Sequence, residues 1–172
     1  HALLSTGRRD DAEKAFRRAV ELREDWSLAL AGLGGLLVSK GQFTEAEPIL
    51  TKALELDALN FPAFTSLVEL KLSSEADAKT LETLLRTATD LTSKANPPSS
   101  ILVAKASLER SIGKPEAARS TIAKALAIDA DNASALIEGA LIALQINDPT
   151  MADEYVTRLE SRSPGSSNTK LL

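Results

Sequence analysis

The sequence predicts an all-α fold, a solenoid of antiparallel helix pairs, and three observations carry that prediction. An arrangement of apolar residues and a glycine break between Ser27 and Asn60 restarts after 34 residues and recurs, with wear, along the chain. Inside it the apolar residues return at three- and four-residue steps, the period of a helix and not of a strand. Ala and Leu dominate the 172 residues while aromatics make up only 3%, so helices pack through small and branched side chains instead of around one large aromatic core.

In the clearest unit, 27–60, Leu30, Leu33, Leu36 and Leu37 share one face of a first helix that stops at Lys40-Gly41. A second helix is expected to start at Thr44 as N-cap, with Glu47 completing a capping box, Pro48 in the first turn, and Ala46, Ile49, Leu50, Ala53, Leu54 and Leu56 buried. The order large apolar, Leu-Gly, Gly turn, Ala, large apolar, Ala resembles the tetratricopeptide repeat. Leu30 takes its Trp place, Leu33-Gly34 its Leu-Gly pair, Leu37 its Tyr, Ala46 and Ala53 its alanines, Leu50 its Phe, and Ala58 its Pro. The resemblance implies a right-handed superhelical solenoid in which first helices line a concave groove.

Taken in order, 1–26 supplies the end of a first helix, a turn at Gly7, and a second helix with Ala12, Phe16 and Ala19 in the Ala, Phe and Ala places. Its outer Arg8, Arg9, Lys14, Arg17 and Arg18 are interleaved with Asp10, Asp11, Glu13 and Glu21 and read as a solvated face. Trp26, between repeats, reads as a wedge between neighbouring units in preference to a partner-stacking aromatic. The unit 61–98 opens with Phe64 and Leu67 but has Ser73-Ser74-Glu75 where a Gly turn is expected. With one inserted residue, Leu81, Leu85 and Ala88 fill its second helix, and a Pro-containing loop follows. The unit 99–132 is regular, with Leu102, Ala106, Leu108, Gly113, Ala118, Ile122, Ala125 and Leu126, and with Lys105 departing from the Leu place. The unit 133–166 carries Leu136, Ala140, Leu144, a turn at Asn147-Asp148-Pro149, then Ala152, Val156, Leu159 and Pro164, and 167–172 reads as the start of a further first helix. His1 falls mid-helix in this register, so the sequence is expected to belong to a longer array.

The formal net charge of −4 and pI near 5.1 remove the usual electrostatic basis for nucleic-acid binding. With no Cys and a single His, thiolate and imidazole metal sites and His-based acid–base catalysis have no residues to use. The longest apolar run, Leu28 to Val38, is interrupted by three glycines and falls short of the roughly 18 residues of a spanning helix. Gly32-Leu33-Gly34-Gly35 mimics part of a phosphate loop, but its glycines lie inside a helix pattern, where they allow close packing. Asp129-Ala130-Asp131-Asn132 opens like a calcium loop, lacks the central Gly and distal Glu, and reads as an inter-repeat turn.

These readings predict a noncatalytic interaction module with no cofactor and no metal. The groove implied by the resemblance would carry Leu28, Ala31, Gly35 and Val38, then Thr65, Glu69 and Leu72, then Val103, Ser107 and Arg110, then Ile137, Leu141 and Leu144. Most are apolar or small, which predicts a protein or peptide partner with apolar anchors, self-association being the other way to cover the face. Family members that grip an acidic C-terminus use Lys and Asn at the fifth and ninth positions of a first helix. Here those positions hold Ala31/Gly35, Thr65/Glu69, Val103/Ser107 and Ile137/Leu141, so that clamp is absent. The alternative reading is a regulatory or oligomerising arm of a larger enzyme.

Overall fold

The computed structural model describes residues 2–93 and 96–161, the first six of them by backbone alone. These residues hold nine α-helices: α1 (Ala2–Leu22), α2 (Ser27–Ser39), α3 (Phe43–Leu56), α4 (Phe61–Ser73), α5 (Ala78–Ser93), α6 (Ser99–Ser111), α7 (Pro115–Ile128), α8 (Ala133–Gln145) and α9 (Pro149–Ser161). They form an all-α solenoid of paired antiparallel helices, and divide into two compact units, His1–Ala76 and Asp77–Leu172.

In the first unit α2 lies against α1, α3 and α4. Its core joins Leu30, Leu33 and Leu37 of α2 to Ala46, Leu50 and Ala53 of α3 and to Ala63 and Leu70 of α4, with Phe16 and Val20 of α1 packed on it. In the second unit α6 packs on α5, α7 and α8, and α8 on α9. There Leu102 and Ala106 meet Ala118, Ile122 and Ala125, and Ala135 and Ile142 complete the cluster. The helix glycines are points of close approach: Gly32 faces the Phe16 ring, Gly34 faces Leu50, and a Cβ on Gly139 would lie 2.8 Å from Tyr155 Cε2. Burial against α8 is the main reason the Tyr155 phenol is pushed above its ordinary pKa, with Glu154 adding to it.

The helix pairs are closed by one main-chain device. After α2, the Gln42 N–H donates to the Leu37 carbonyl at 2.9 Å and Gly41 N–H to Val38 at 2.9 Å, the two bonds of a Schellman motif. The same 6→1 bond recurs as Ala76 to Lys71 at 3.0 Å, Lys114 to Glu109 at 2.8 Å and Asp148 to Ala143 at 2.8 Å. Each motif needs one left-handed residue: Gly41 (φ +74°), Glu75 (φ +52°), Gly113 (φ +77°) and Asn147 (φ +58°). At Ser73-Ser74-Glu75, where the repeat pattern expects a Gly turn, the turn is formed with Glu75 in the glycine's place. A Cβ at Gly41 or Gly113 would touch nothing within 4 Å, so glycine is favoured there by backbone angle and not by space. Glu75→Gly should accordingly raise the stability of the first unit by about 1 kcal/mol, and Gly113→Ala should lower that of the second by a similar amount. Denaturant midpoints of the two variants test this, and a Glu75→Gly protein no more stable than the parent would contradict it.

The joins between pairs use side chains. Asp57 Oδ1 accepts from Leu59 N–H at 2.9 Å and Asn60 Oδ1 caps α4 by accepting from Ala63 N–H at 3.0 Å. Asp129 and Asn132 repeat this with Asp131 N–H at 3.2 Å and Ala135 N–H at 3.0 Å, which makes 129–132 the expected inter-repeat turn. Asn132 Nδ2 also donates to Ser99 Oγ at 3.0 Å, whereas Asn60 Nδ2 is buried without an acceptor, for which the structure offers no compensation.

Several expectations are corrected. No turn occurs at Gly7: α1 runs unbroken through it, a helical Gly costing only about 1 kcal/mol. Thr44 is not the cap of α3. The Schellman turn at Gly41 sets helical geometry from Phe43 onward, the N-cap is Gln42, and Glu47 pairs with Lys71 of α4 at 2.5 Å instead of folding back. Pro48 consequently lies in the second turn. Leu56 and Val156, expected in the core, are exposed at 45% and 43%, Leu56 being the last residue of α3. Leu144 is likewise exposed and Ile142 takes the buried place on α8. Pro164 and 167–172 lie outside the described residues.

Candidate functional site

The first helices of the pairs present the predicted surface, and each unit fills it differently. In the first unit, Leu28 is exposed at the start of α2, Glu69 is exposed on α4, and Thr65 and Leu72 are half-buried. Thr65 Oγ1 spends its hydrogen on the Pro62 carbonyl at 3.0 Å. Ala31 and Val38 are corrected: at 3% and 5% exposure they are core, because α2 is covered by helices on three sides. Gly35 lies against α4, a Cβ there standing 2.9 Å from Ser66 Oγ.

In the second unit the surface is more open. Ile137, Leu141 and Leu144 follow one another at four- and three-residue steps along α8, and all three are exposed. Ser107 and Val103 on α6 are half-buried beside them, Val103 also touching the core. Arg110 is not a free cation. Its Nε donates to Glu138 Oε1 at 2.5 Å, so the guanidinium straps α6 to α8 and satisfies the one charged side chain of α8, which is itself buried. Lys105, the departure from the repeat pattern, has a matching partner: it lies 3.8 Å from Glu109, whose other oxygen accepts from Thr121 Oγ1 of α7 at 2.7 Å. The buried carboxylate thus carries its own counter-charge and donor.

On the basic face of α1, Arg17 and Arg18 are paired with the interleaved acids. Arg17 reaches Glu13 and Glu45, Lys40, the C-cap of α2, reaches Glu13 and Asp10, and Arg18 reaches Glu21. Lys40 and then Arg17 hold the Glu13 carboxyl below its ordinary pKa; Glu13 and Asp10 raise that of Lys40, and Glu45 and Glu13 that of Arg17. Trp26 forms the N-cap of α2 and is 41% exposed, which is too open for the wedge expected of it. An open hollow of about 850 Å³ between α3 and α4 is bordered by Phe43, Pro48, Thr51 and Leu70. Among the described residues no group of three or more His, Asp or Glu is arranged to hold a metal ion, and no helix is long and apolar enough to cross a membrane.

Two family models match the sequence, both described as tetratricopeptide repeat, one over residues 1–60 and one over 99–132. Comparison with curated proteins finds none that matches. Solved structures share the fold. A thermophilic TPR protein of Thermus thermophilus is 19% identical with a TM-score of 0.81, over 96% of this chain and 88% of that one. YrrB, described as a TPR protein with an unusual peptide-binding site, is 15% identical with a TM-score of 0.62, over 90% of this chain and 78% of that one. A chain of the Cut9–Hcn1 hetero-tetramer of APC/C is 19% identical with a TM-score of 0.75, over 97% of this chain and 33% of that one. At these identities the likeness concerns the fold alone.

Proposed function

Because the chain belongs to the tetratricopeptide-repeat family, we propose that it is a noncatalytic scaffold that binds a partner protein through the exposed faces of its first helices. The observation that carries this reading is the strip Ile137, Leu141 and Leu144, three large apolar side chains open on a helix whose only charged group is turned inward and paired. Val103 and Ser107 border the strip, and the corresponding face of the first unit carries Leu28 and Glu69, which are exposed, and Thr65 and Leu72, which are half-buried. Such a face suits a helix or extended segment with apolar anchors spaced to match, as helix-in-groove recognition uses them. Each anchor contributes about 1.5 to 3 kcal/mol, so two supply a large part of the roughly 8 kcal/mol of a micromolar complex. YrrB has a described peptide-binding site and Cut9 a described protein complex, which is consistent with a binding role for this fold. Nothing on this face offers the Lys and Asn pair that would grip an acidic C-terminus.

The test compares capture of partners by the intact chain and by Leu141→Glu and Leu144→Glu variants, followed by affinity measurements on whatever the intact chain retains. Affinity should fall at least about tenfold in the variants while circular dichroism is unchanged. A partner that binds both variants as tightly as the parent would move the site off α8.

A further inference from the structure

We infer a second interaction surface, at the end of the first unit where its pairs are joined, that receives a basic amphipathic helix of a partner protein. The five large apolar side chains exposed among the described side chains of this unit are Leu22, Trp26, Leu28, Leu56 and Leu59. All lie within two residues of a helix end or in the turns 23–26 and 57–60. Since α1 packs on α2, α2 on α3, and α4 on both α2 and α3, antiparallel succession brings the C-terminal ends of α1 and α3 and the N-terminal ends of α2 and α4 together. Neighbouring helices stand about 8 to 10 Å apart, so one partner helix about 10 Å across can reach side chains from both turns. Scattered exposed leucines need no explanation, but their confinement to one end, around the only Trp of the chain, does. Trp is the residue type most enriched at the energetic centres of interfaces.

The surrounding charge selects the occupant. Glu21 and Asp25 are paired with Arg18 at 3.0 Å and Arg23 at 3.2 Å, which uses up the arginines of this end. Glu24, Glu55 and Asp57 are exposed and form no ion pair among the described residues, Asp57 accepting only the Leu59 N–H, and against these three carboxylates stands one exposed cation, Lys52, a turn before Glu55, so the end keeps a net negative charge among its apolar side chains. An anionic lipid surface would be repelled by that charge, and two copies meeting through this end would set carboxylate against carboxylate. A helix with leucines on one face and lysines or arginines along its flanks meets both features. This surface shares no residue with the strip on α8, and Leu28 is the one side chain it has in common with the face assigned to the first unit above.

Trp26 reports directly on the site. The probe is a helix-forming peptide of leucine and lysine, with a leucine–glutamate peptide of the same spacing as its counterpart, titrated into the full chain. The lysine peptide should shift Trp26 emission to shorter wavelength saturably, and added salt should weaken it. The response should weaken about tenfold in a Leu22→Ser, Leu59→Ser variant and persist in Leu141→Glu. A Glu24→Lys, Glu55→Lys variant should exchange the preference for that of the glutamate peptide, which keeps the test decisive should the leucine variant lose its fold. Equal response to both peptides, no saturable response, or indifference to the leucine and charge variants would overturn the inference. So would an emission shift that follows protein concentration without peptide, which would mean a second copy, or one produced by anionic vesicles.

Discussion

Val38→Glu should unfold the first unit, while Leu141→Glu should leave the second folded, although both positions belong to the face that a repeat register assigns to the groove. Val38 is 5% exposed and packed in the core that joins α2, α3 and α4. A carboxylate there has no basic partner in its cluster and would be buried unpaired, at a cost of at least about 3 kcal/mol. That is a large share of the roughly 5 to 15 kcal/mol by which domains of this size are stable. Leu141 is 43% exposed, and Glu is nearly as good a helix former as Leu, so its replacement should change stability by about 0.5 kcal/mol or less. Denaturation followed by circular dichroism reads both variants, and Trp26 fluorescence reads the first unit separately. If the two variants melted alike, the division of the face into covered and open parts would be wrong.

Leu50→Ala and Gly34→Ala should each destabilise the first unit, and the double variant should be more stable than the sum of the two effects. Leu50 is fully buried in α3 and its Cγ lies 2.6 Å from where a Gly34 Cβ would stand. Truncating Leu50 removes its burial and leaves a cavity, for about 2 to 5 kcal/mol. Adding the Cβ improves helix propensity by about 1 kcal/mol but forces a side chain with no room to yield, for about 1 to 3 kcal/mol, so overpacking wins. In the double variant the new methyl occupies part of the vacated space, which should appear as a coupling of about 1 kcal/mol in a double-mutant cycle. Strict additivity would mean that the two side chains do not meet.

The core was legible in the sequence wherever one helix face sufficed to define it. Leu30, Leu33, Leu37, Ala46, Leu50 and Ala53 follow from three- and four-residue steps and a glycine break, and all are buried. What periodicity cannot give is how many neighbours a helix has. Ala31 and Val38 are covered because α1 and α4 flank α2 as well as α3, a property of the array and not of the helix's own pattern. Ile137 and Leu141 occupy the same register places as Val103 and Ser107, yet the first two are exposed and the second two half-buried. Leu56 misled for a related reason. It continues the apolar run of α3 to its last residue, where it is exposed, and the same holds for Leu22 at the end of α1. The signal for the second surface was therefore present as a leucine closing a second helix just before its turn, but only the structure shows that these ends gather. The Gly7 turn failed because a helix tolerates one glycine at about 1 kcal/mol, and Arg110 was read as a groove cation because its partner lies 28 residues away on α8.

The turns closed by main-chain bonds also bear on how such repeats are recognised. The stretches matched by the repeat models, 1–60 and 99–132, contain Gly41 and Gly113, while Glu75 and Asn147 fall in the stretches that no model matches. All four turns nevertheless make the same pair of backbone bonds, which ask for an angle and not for a particular side chain. A repeat can thus drift out of detectability while its geometry stays fixed, at a local cost of about 1 kcal/mol per left-handed non-glycine residue. Repeat counts drawn from sequence profiles will run low in chains of this kind, and scanning helix-terminal backbone angles recovers the missing members.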